Sequence, residues 1–137
     1  MYKILLVEDE KETAAYVREA LELENMEVDV AYNGLEGLEK FHQNEYDLIL
    51  LDLLMPKMSG EELIREIRKE NPYIDIIVYT NLEKYGDLKK LVNLGINGYV
   101  NKGPGADLDE LLTTIKEKLE PLSEADMINL IRNTDEI

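Results

Sequence analysis

Five short apolar segments alternate with five longer amphipathic segments along this chain of 137 residues. The short segments predict strands over Tyr2–Val7, Glu27–Ala31, Asp47–Leu51, Ile74–Tyr79 and Gly98–Val100. The longer segments have helical periodicity and predict helices over about 10–24, 34–43, 60–70, 84–94 and 107–119. Because each strand is followed by a helix, we expect an α/β fold with a parallel sheet and helices on both of its faces.

The composition of the strands indicates their order in the sheet. The first, third and fourth strands are almost continuously apolar, as expected of central parallel strands. The second alternates apolar with acidic residues and the fifth is short, so both are expected at the edges. These features favour a doubly wound, five-stranded parallel sheet with the order 2-1-3-4-5.

Acidic residues follow two strands that are neighbours in this order. Glu8 and Asp9 come after the first strand, and Asp52 comes after the third. The carboxyl ends of these strands meet where the strand order reverses, which is where ligands bind in such sheets. Buried carboxylates are costly unless they are paired, and Mg²⁺ prefers oxygen ligands. The sequence therefore predicts a Mg²⁺ site formed by these three residues.

The same edge of the sheet carries the groups that phosphoryl transfer requires. A carboxylate can act as a nucleophile and form an aspartyl phosphate. Asp52 is the better candidate because it closes a rigid strand, whereas Glu8 and Asp9 lead directly into a helix. The Thr80 hydroxyl, after the fourth strand, can hydrogen-bond a phosphoryl oxygen, and the Lys102 ammonium, after the fifth, can neutralise negative charge.

Composition restricts the partners and the location of the protein. The chain has 30 acidic and 15 basic residues, a formal net charge of -15, which argues against direct binding to nucleic acid or to an anionic membrane. It has no cysteine, so disulfides and thiol chemistry are excluded. We see no apolar run long enough to cross a membrane and no signal peptide, and therefore expect a cytoplasmic protein.

Capping signals and prolines suggest how the chain is divided. Asp9 and Ser59, each followed three residues later by glutamate, are typical capping boxes for the first and third helices. Residues 1–120 are predicted to form one domain. Pro121 ends the last predicted helix, and 121–137 is predicted to be a C-terminal extension, either a short extra helix or the start of a linker.

From about residue 2 to 119, the chain resembles the receiver domain of bacterial two-component response regulators. The residues that carry this resemblance are Glu8, Asp9, Asp52 with the run 52–60 that it begins, Thr80, Tyr99 and Lys102. The resemblance implies a CheY-like (flavodoxin-like) fold and a phosphorelay signalling role. It implies a protein that is not an enzyme beyond its own phosphorylation and dephosphorylation.

The resemblance also implies specific roles and partners. A sensor histidine kinase or a phosphotransfer protein would phosphorylate Asp52, and the Leu54 carbonyl would join the three acids around Mg²⁺. Tyr99 would be the switch aromatic, turning inward as Thr80 moves toward the phosphoryl group. A downstream effector would bind the face formed by the fourth helix, fifth strand and fifth helix, where a phosphorylation-dependent homodimer is a further hypothesis.

Four residues bear on the family pattern near the site. Gly103 stands where the family usually has a cis proline, and Asn81 where it favours a small residue. These two departures leave a second interpretation open, a pseudo-receiver that binds proteins without being phosphorylated. Leu54 and Leu82 stand two residues after Asp52 and Thr80, cannot orient an attacking water, and predict slow hydrolysis of a phosphorylated form.

Two other classes of protein share parts of this pattern. A flavodoxin-like electron carrier has the same strand order, but the run 8–10 is acidic and would repel a flavin phosphate. A phosphatase of the haloacid dehalogenase kind also uses an aspartate at a strand end, but it requires a second acid where Leu54 stands.

Overall fold

The computed structural model describes residues 1–102, 108–120, 128–129 and 131–132. In chain order the elements are β1 (Lys3–Val7), α1 (Lys11–Leu23), β2 (Glu27–Ala31), α2 (Gly34–Gln43), β3 (Leu48–Leu51), α3 (Gly60–Glu70), β4 (Asp75–Thr80), α4 (Leu82–Tyr85), α5 (Leu88–Val92), β5 (Gly98–Asn101) and α6 (Leu108–Leu119). The predicted strands agree with these bounds to within one residue, and α6 is the helix predicted over 107–119.

The five strands form one parallel sheet in the order β2-β1-β3-β4-β5, which confirms the predicted topology. Val7 of β1 is the register partner of Leu51 of β3. Glu8 and Asp52 therefore leave adjacent strands at the same level. At the other side of the sheet, Thr80 of β4 is paired with Asn101 of β5.

The side chains of the sheet alternate between two apolar layers. Ile4, Leu6 and Leu50 face the layer that α1 and α6 complete. Leu5 and Val7 face the opposite layer, which α2, α3 and α5 complete. Central strands that are buried on both faces cannot show a polar side, which explains their continuous apolar sequence.

The helix predicted over 84–94 is wrong as a single element, because the chain forms two short helices there. Gly86, with φ +77°, ends α4 in the left-handed conformation that glycine adopts most easily. The Asp87 side chain then accepts a hydrogen bond from the Lys90 backbone N–H at 2.9 Å and begins α5. The apolar periodicity was compatible with either arrangement, and the Gly-Asp pair decides between them.

The two predicted capping boxes have different outcomes. Ser59 caps α3, because its hydroxyl oxygen accepts a hydrogen bond from the Glu62 backbone N–H at 3.3 Å. Asp9 is not the cap of α1: the N-cap is Glu10, and its side chain makes no capping hydrogen bond. The Asp9 carboxylate is thus not used by the helix.

The predicted extra helix after Pro121 falls largely outside the described residues, as do Gly103 and the rest of 103–107. The four residues described after position 120, 128–129 and 131–132, are helical. Within the described parts of the chain, none of the helices combines the length and the apolar character needed to cross a membrane.

Candidate functional site

Three polar side chains are buried among the described residues, and all three lie at the carboxyl ends of the central strands. Glu8 is 2% exposed, Asp52 is 4% exposed and Thr80 is fully buried. Buried polar groups of this kind are destabilising unless they are paired. Their concentration at one place therefore marks this edge of the sheet as the candidate functional site.

Three carboxylates converge at this edge. Glu8, Asp9 and Asp52 each offer an oxygen atom, and these three oxygens lie within 4.8 Å of one another. Two of the residues are buried and Asp9 is partly exposed, so the cluster is open to solvent on one side. Mg²⁺ is usually held by one or two carboxylates while keeping several waters, and this donor set fits that requirement.

Both carboxylate oxygens of Asp52 are engaged. Oδ1 accepts hydrogen bonds from the Thr80 hydroxyl at 2.7 Å and from the Leu54 backbone N–H at 3.2 Å. Oδ2 accepts from the Lys102 ammonium at 2.7 Å. These contacts come from the ends of three neighbouring strands, β3, β4 and β5, and they fix the orientation of the carboxylate.

Lys102 also joins Asp52 to Glu8. Its Nζ lies 2.9 and 3.0 Å from the two carboxylate oxygens of Glu8. Burial disfavours the charged ammonium, but hydrogen bonds and attraction to Asp52 and Glu8 together outweigh burial and raise the pKa of Lys102. For Glu8 the balance is reversed: burial, with smaller contributions from Asp52 and Asp9, outweighs Lys102 and raises its pKa to about 7. A cation near Glu8 would favour its ionised form.

The backbone around Asp52 is fixed by a close approach of α3. The Gly60 N–H donates to the Leu53 carbonyl oxygen at 3.1 Å. A Cβ atom at position 60 would lie 2.5 Å from both the Asp52 carbonyl oxygen and the Leu53 Cα. Only glycine permits this approach, so the first residue of α3 sets the path of the chain directly after Asp52.

A cavity of about 510 Å³ opens beside Asp52. Leu54 and Asn81 line it, as do two residues that the sequence analysis missed, Tyr16 of α1 and Lys84 of α4. Lys84 lies in the first turn of the helix that follows Thr80, and this position close to a strand end could have predicted that it lines the site. The predicted helix begins at residue 84, two residues later than α4.

The structure thus brings together five of the predicted site residues, Glu8, Asp9, Asp52, Thr80 and Lys102. Tyr99 lies apart from them. It is on β5, paired with Val78, and its side chain is 48% exposed.

Comparison with known proteins identifies the class of protein to which this fold and this site belong. The family model of the response regulator receiver domain matches residues 4–116. The chain therefore belongs to the response regulator receiver domain family of two-component systems.

Among curated proteins, the chain is 38% identical over 130 residues to the response regulator ArlR of Staphylococcus saprophyticus, and 35% identical to ArlR of Staphylococcus aureus. These alignments cover 95% of this chain and 58% of the relatives, so the chain spans little more than half the length of those proteins.

Solved structures show the same similarity. The response regulator TrrA of Thermotoga maritima, in complex with Mg²⁺-BeF, is 38% identical with a TM-score of 0.76, covering 87% of this chain and 100% of that one. A CheY-like receiver domain protein of Methanospirillum hungatei is 32% identical with a TM-score of 0.79, covering 88% of this chain and 94% of that one.

Proposed function

We propose that this chain is a phosphorylation-driven signalling switch in which Asp52 accepts a phosphoryl group from a histidine kinase or a phosphotransfer protein. The single observation that carries the proposal is the environment of Asp52: a buried carboxylate held by Thr80, Lys102 and a backbone N–H, beside two further acids. A buried carboxylate with a cationic partner and two further acids beside it is the kind of charge cluster that is concentrated at functional sites.

In this proposal each residue of the site has a separate role in phosphoryl transfer. Glu8, Asp9 and Asp52 would hold Mg²⁺, which when bound offsets the negative charge of the transferring group. Lys102, 2.7 Å from Asp52, would provide a fixed positive charge, and the Thr80 hydroxyl, which donates to Asp52 at 2.7 Å, would donate to a phosphoryl oxygen. An Asp52 oxygen attacks phosphorus as the bond to the donor nitrogen breaks.

A change at Asp52 would be passed on through Thr80. The Thr80 hydroxyl now donates to Asp52, and Tyr99 stands half-exposed on the neighbouring strand. A phosphoryl group would take over the Thr80 contact and shift the population toward a state with Tyr99 turned inward. The output surface would be the face of α4, α5, β5 and α6, which would bind an effector or a second phosphorylated copy.

The phosphorylated form should be long-lived. Leu54 lines the cavity beside Asp52 and offers only apolar atoms from its side chain. A water molecule above the phosphoryl group would receive no help in orientation from this residue. We expect a half-life of more than about a minute at neutral pH, measured as loss of phosphoprotein after removal of the donor.

Intact-mass measurement after incubation with acetyl phosphate and Mg²⁺ tests the function. We expect a gain of one phosphoryl group in the wild-type chain and none in Asp52→Asn, which retains the shape of the side chain. A folded wild-type chain that gains no mass from acetyl phosphate or from a panel of kinases would contradict the proposal and favour a pseudo-receiver that binds its partners without phosphorylation.

A further inference from the structure

We propose that Lys84 is a donor-binding residue, a second cation that attracts and holds the doubly negative phosphoryl group of the donor before transfer to Asp52. This inference rests on the proposed function and concerns the entrance of the same cavity. Lys102 and Lys84 both line this cavity, but the Lys102 side chain is only 12% exposed, whereas Lys84 is exposed.

The cavity is lined by both acidic and basic side chains. Asp9, Glu10 and Glu12 line it from the start of α1 and the residues just before it, and Lys84 and Lys102 line it from α4 and the end of β5. A negatively charged phosphoryl donor that approaches Asp52 is repelled by these acids and attracted by the two lysines. Mg²⁺ at the three-carboxylate cluster would reduce this repulsion but would not reach Glu12, which is not part of that cluster.

The two lysines are not equivalent. The Lys102 side chain is 12% exposed and is engaged by Asp52 and Glu8. Lys84 is exposed, and in the parts of the chain that the structure describes no carboxylate forms an ion pair with it. Lys84 therefore carries the cavity-lining positive charge that remains available to an incoming anion.

The local fold explains why Lys84 lines the cavity. The chain turns into α4 directly after the Thr80 strand end, and the Asn81 side chain accepts a hydrogen bond from the Lys84 backbone N–H at 3.2 Å. Gly86 ends the helix two residues later. The turn that carries Lys84 is thus anchored at the strand end next to Asp52, and Asn81 contributes to the site as its cap.

The rate of phosphorylation by acetyl phosphate tests the proposal. Wild type, Lys84→Gln, Lys84→Arg and Lys89→Gln are compared at saturating Mg²⁺ by intact mass, over a range of donor concentrations. Lys89 is the matched control because it is exposed on α5, does not line the cavity, and its substitution changes the net charge equally. Thermal melting of each variant checks that the fold is retained.

At low ionic strength we expect Lys84→Gln to lower the second-order rate constant about three- to tenfold, while Lys89→Gln and Lys84→Arg stay within about twofold of wild type. The Lys84→Gln variant should need a higher donor concentration to reach the same rate, while its rate at saturating donor should be unchanged. The difference from wild type should become smaller as salt is added. A purely structural role would not show this salt dependence.

Three results would overturn the proposal. Equal rates for Lys84→Gln and Lys89→Gln would show that the cavity position has no special effect, while phosphorylation of Asp52 would still stand. A rate for Lys84→Arg as low as for Lys84→Gln would show that charge is not the cause. A folded wild-type chain that gains no phosphoryl group would overturn both this proposal and the function on which it rests.

Discussion

At the carboxyl edge of the sheet, the loop after β3 is closed by backbone contacts, whereas the segment after β4 is held by side chains. After β3, Gly60 packs so closely on Asp52 and Leu53 that a Cβ atom would be 2.5 Å from backbone atoms. After β4, none of the four described residues of α4 is buried. The side of the site that carries Asp52 is therefore tightly packed, and the side that carries Lys84 is loosely packed.

Glu61 of α3 makes side-chain contacts with both α4 and α5. The Tyr85 hydroxyl donates to one of its carboxylate oxygens, and the Lys90 Nζ lies 3.0 Å from the other. Although burial acts in the opposite direction, these two contacts lower the pKa of Glu61. Side-chain contacts can be exchanged one at a time without disturbing the core. From this comparison we expect Asp52 to be held in place while the segment that carries Lys84 can move.

The largest predicted effect is that of Gly60→Ala, which places a methyl group against the backbone of Asp52 and Leu53. Because the added methyl group meets backbone atoms rather than flexible side chains, we expect a loss of about 3 kcal/mol in the free energy of unfolding. Displacement of Asp52 should also slow its phosphorylation. Urea denaturation measures the first effect and intact mass the second.

The matched variant for Gly60→Ala is Gly86→Ala in the looser segment. Nothing lies within 4 Å of a Cβ atom at position 86, so the cost is limited to the left-handed backbone conformation at φ +77°. We expect a loss of about 1 kcal/mol, and less for Gly86→Asn, since asparagine tolerates this conformation better. Equal losses for the alanine variants at 60 and 86 would contradict the distinction between the two regions.

The tight packing around Glu8 predicts a pH dependence of Mg²⁺ binding. Burial raises the pKa of Glu8 from 4.5 to about 7, so protons compete with Mg²⁺ below that pH. We expect the affinity for Mg²⁺ to fall by up to about tenfold per pH unit below pH 7, and to change little above it. Isothermal titration calorimetry at several pH values measures this dependence.

Whereas the affinity for Mg²⁺ rises with pH, the stability of the metal-free protein is expected to fall. Between pH 4.5 and 7 the native chain binds more protons at Glu8 than the unfolded chain does, so this group makes the metal-free protein less stable as pH rises through that window. Added Mg²⁺ should reverse the loss. An affinity for Mg²⁺ that is the same at pH 6 and pH 8 would show that protons on Glu8 do not compete with Mg²⁺ in this range and would contradict the prediction.

The sequence predicted the tight region better than the loose one, for a physical reason. The burial of β1 and β3 requires continuous apolar runs, so Glu8, Asp9 and Asp52 could be placed at adjacent strand ends from the sequence alone. Among the side chains that the structure describes in 82–92, only Leu91 is buried, so the periodicity of this segment is a weak constraint. Its division into α4 and α5 depends on the backbone conformation of Gly86, and the contact of Tyr85 with Glu61 depends on tertiary structure that no local pattern reports.

The smallest predicted effect on global stability is that of Tyr85→Phe, which removes only the hydrogen bond to Glu61. The aromatic ring and its packing are retained, so we expect the free energy of unfolding to fall by less than about 1 kcal/mol. The local effect should be clearer: amide hydrogen exchange in 82–92 should accelerate several-fold, while β1 and β3 stay unchanged. Tyr73→Phe is the control, because that side chain is 89% exposed. Unchanged exchange in 82–92 would show that Glu61 does not hold this segment, and faster exchange throughout the sheet would show that the two regions unfold as one unit.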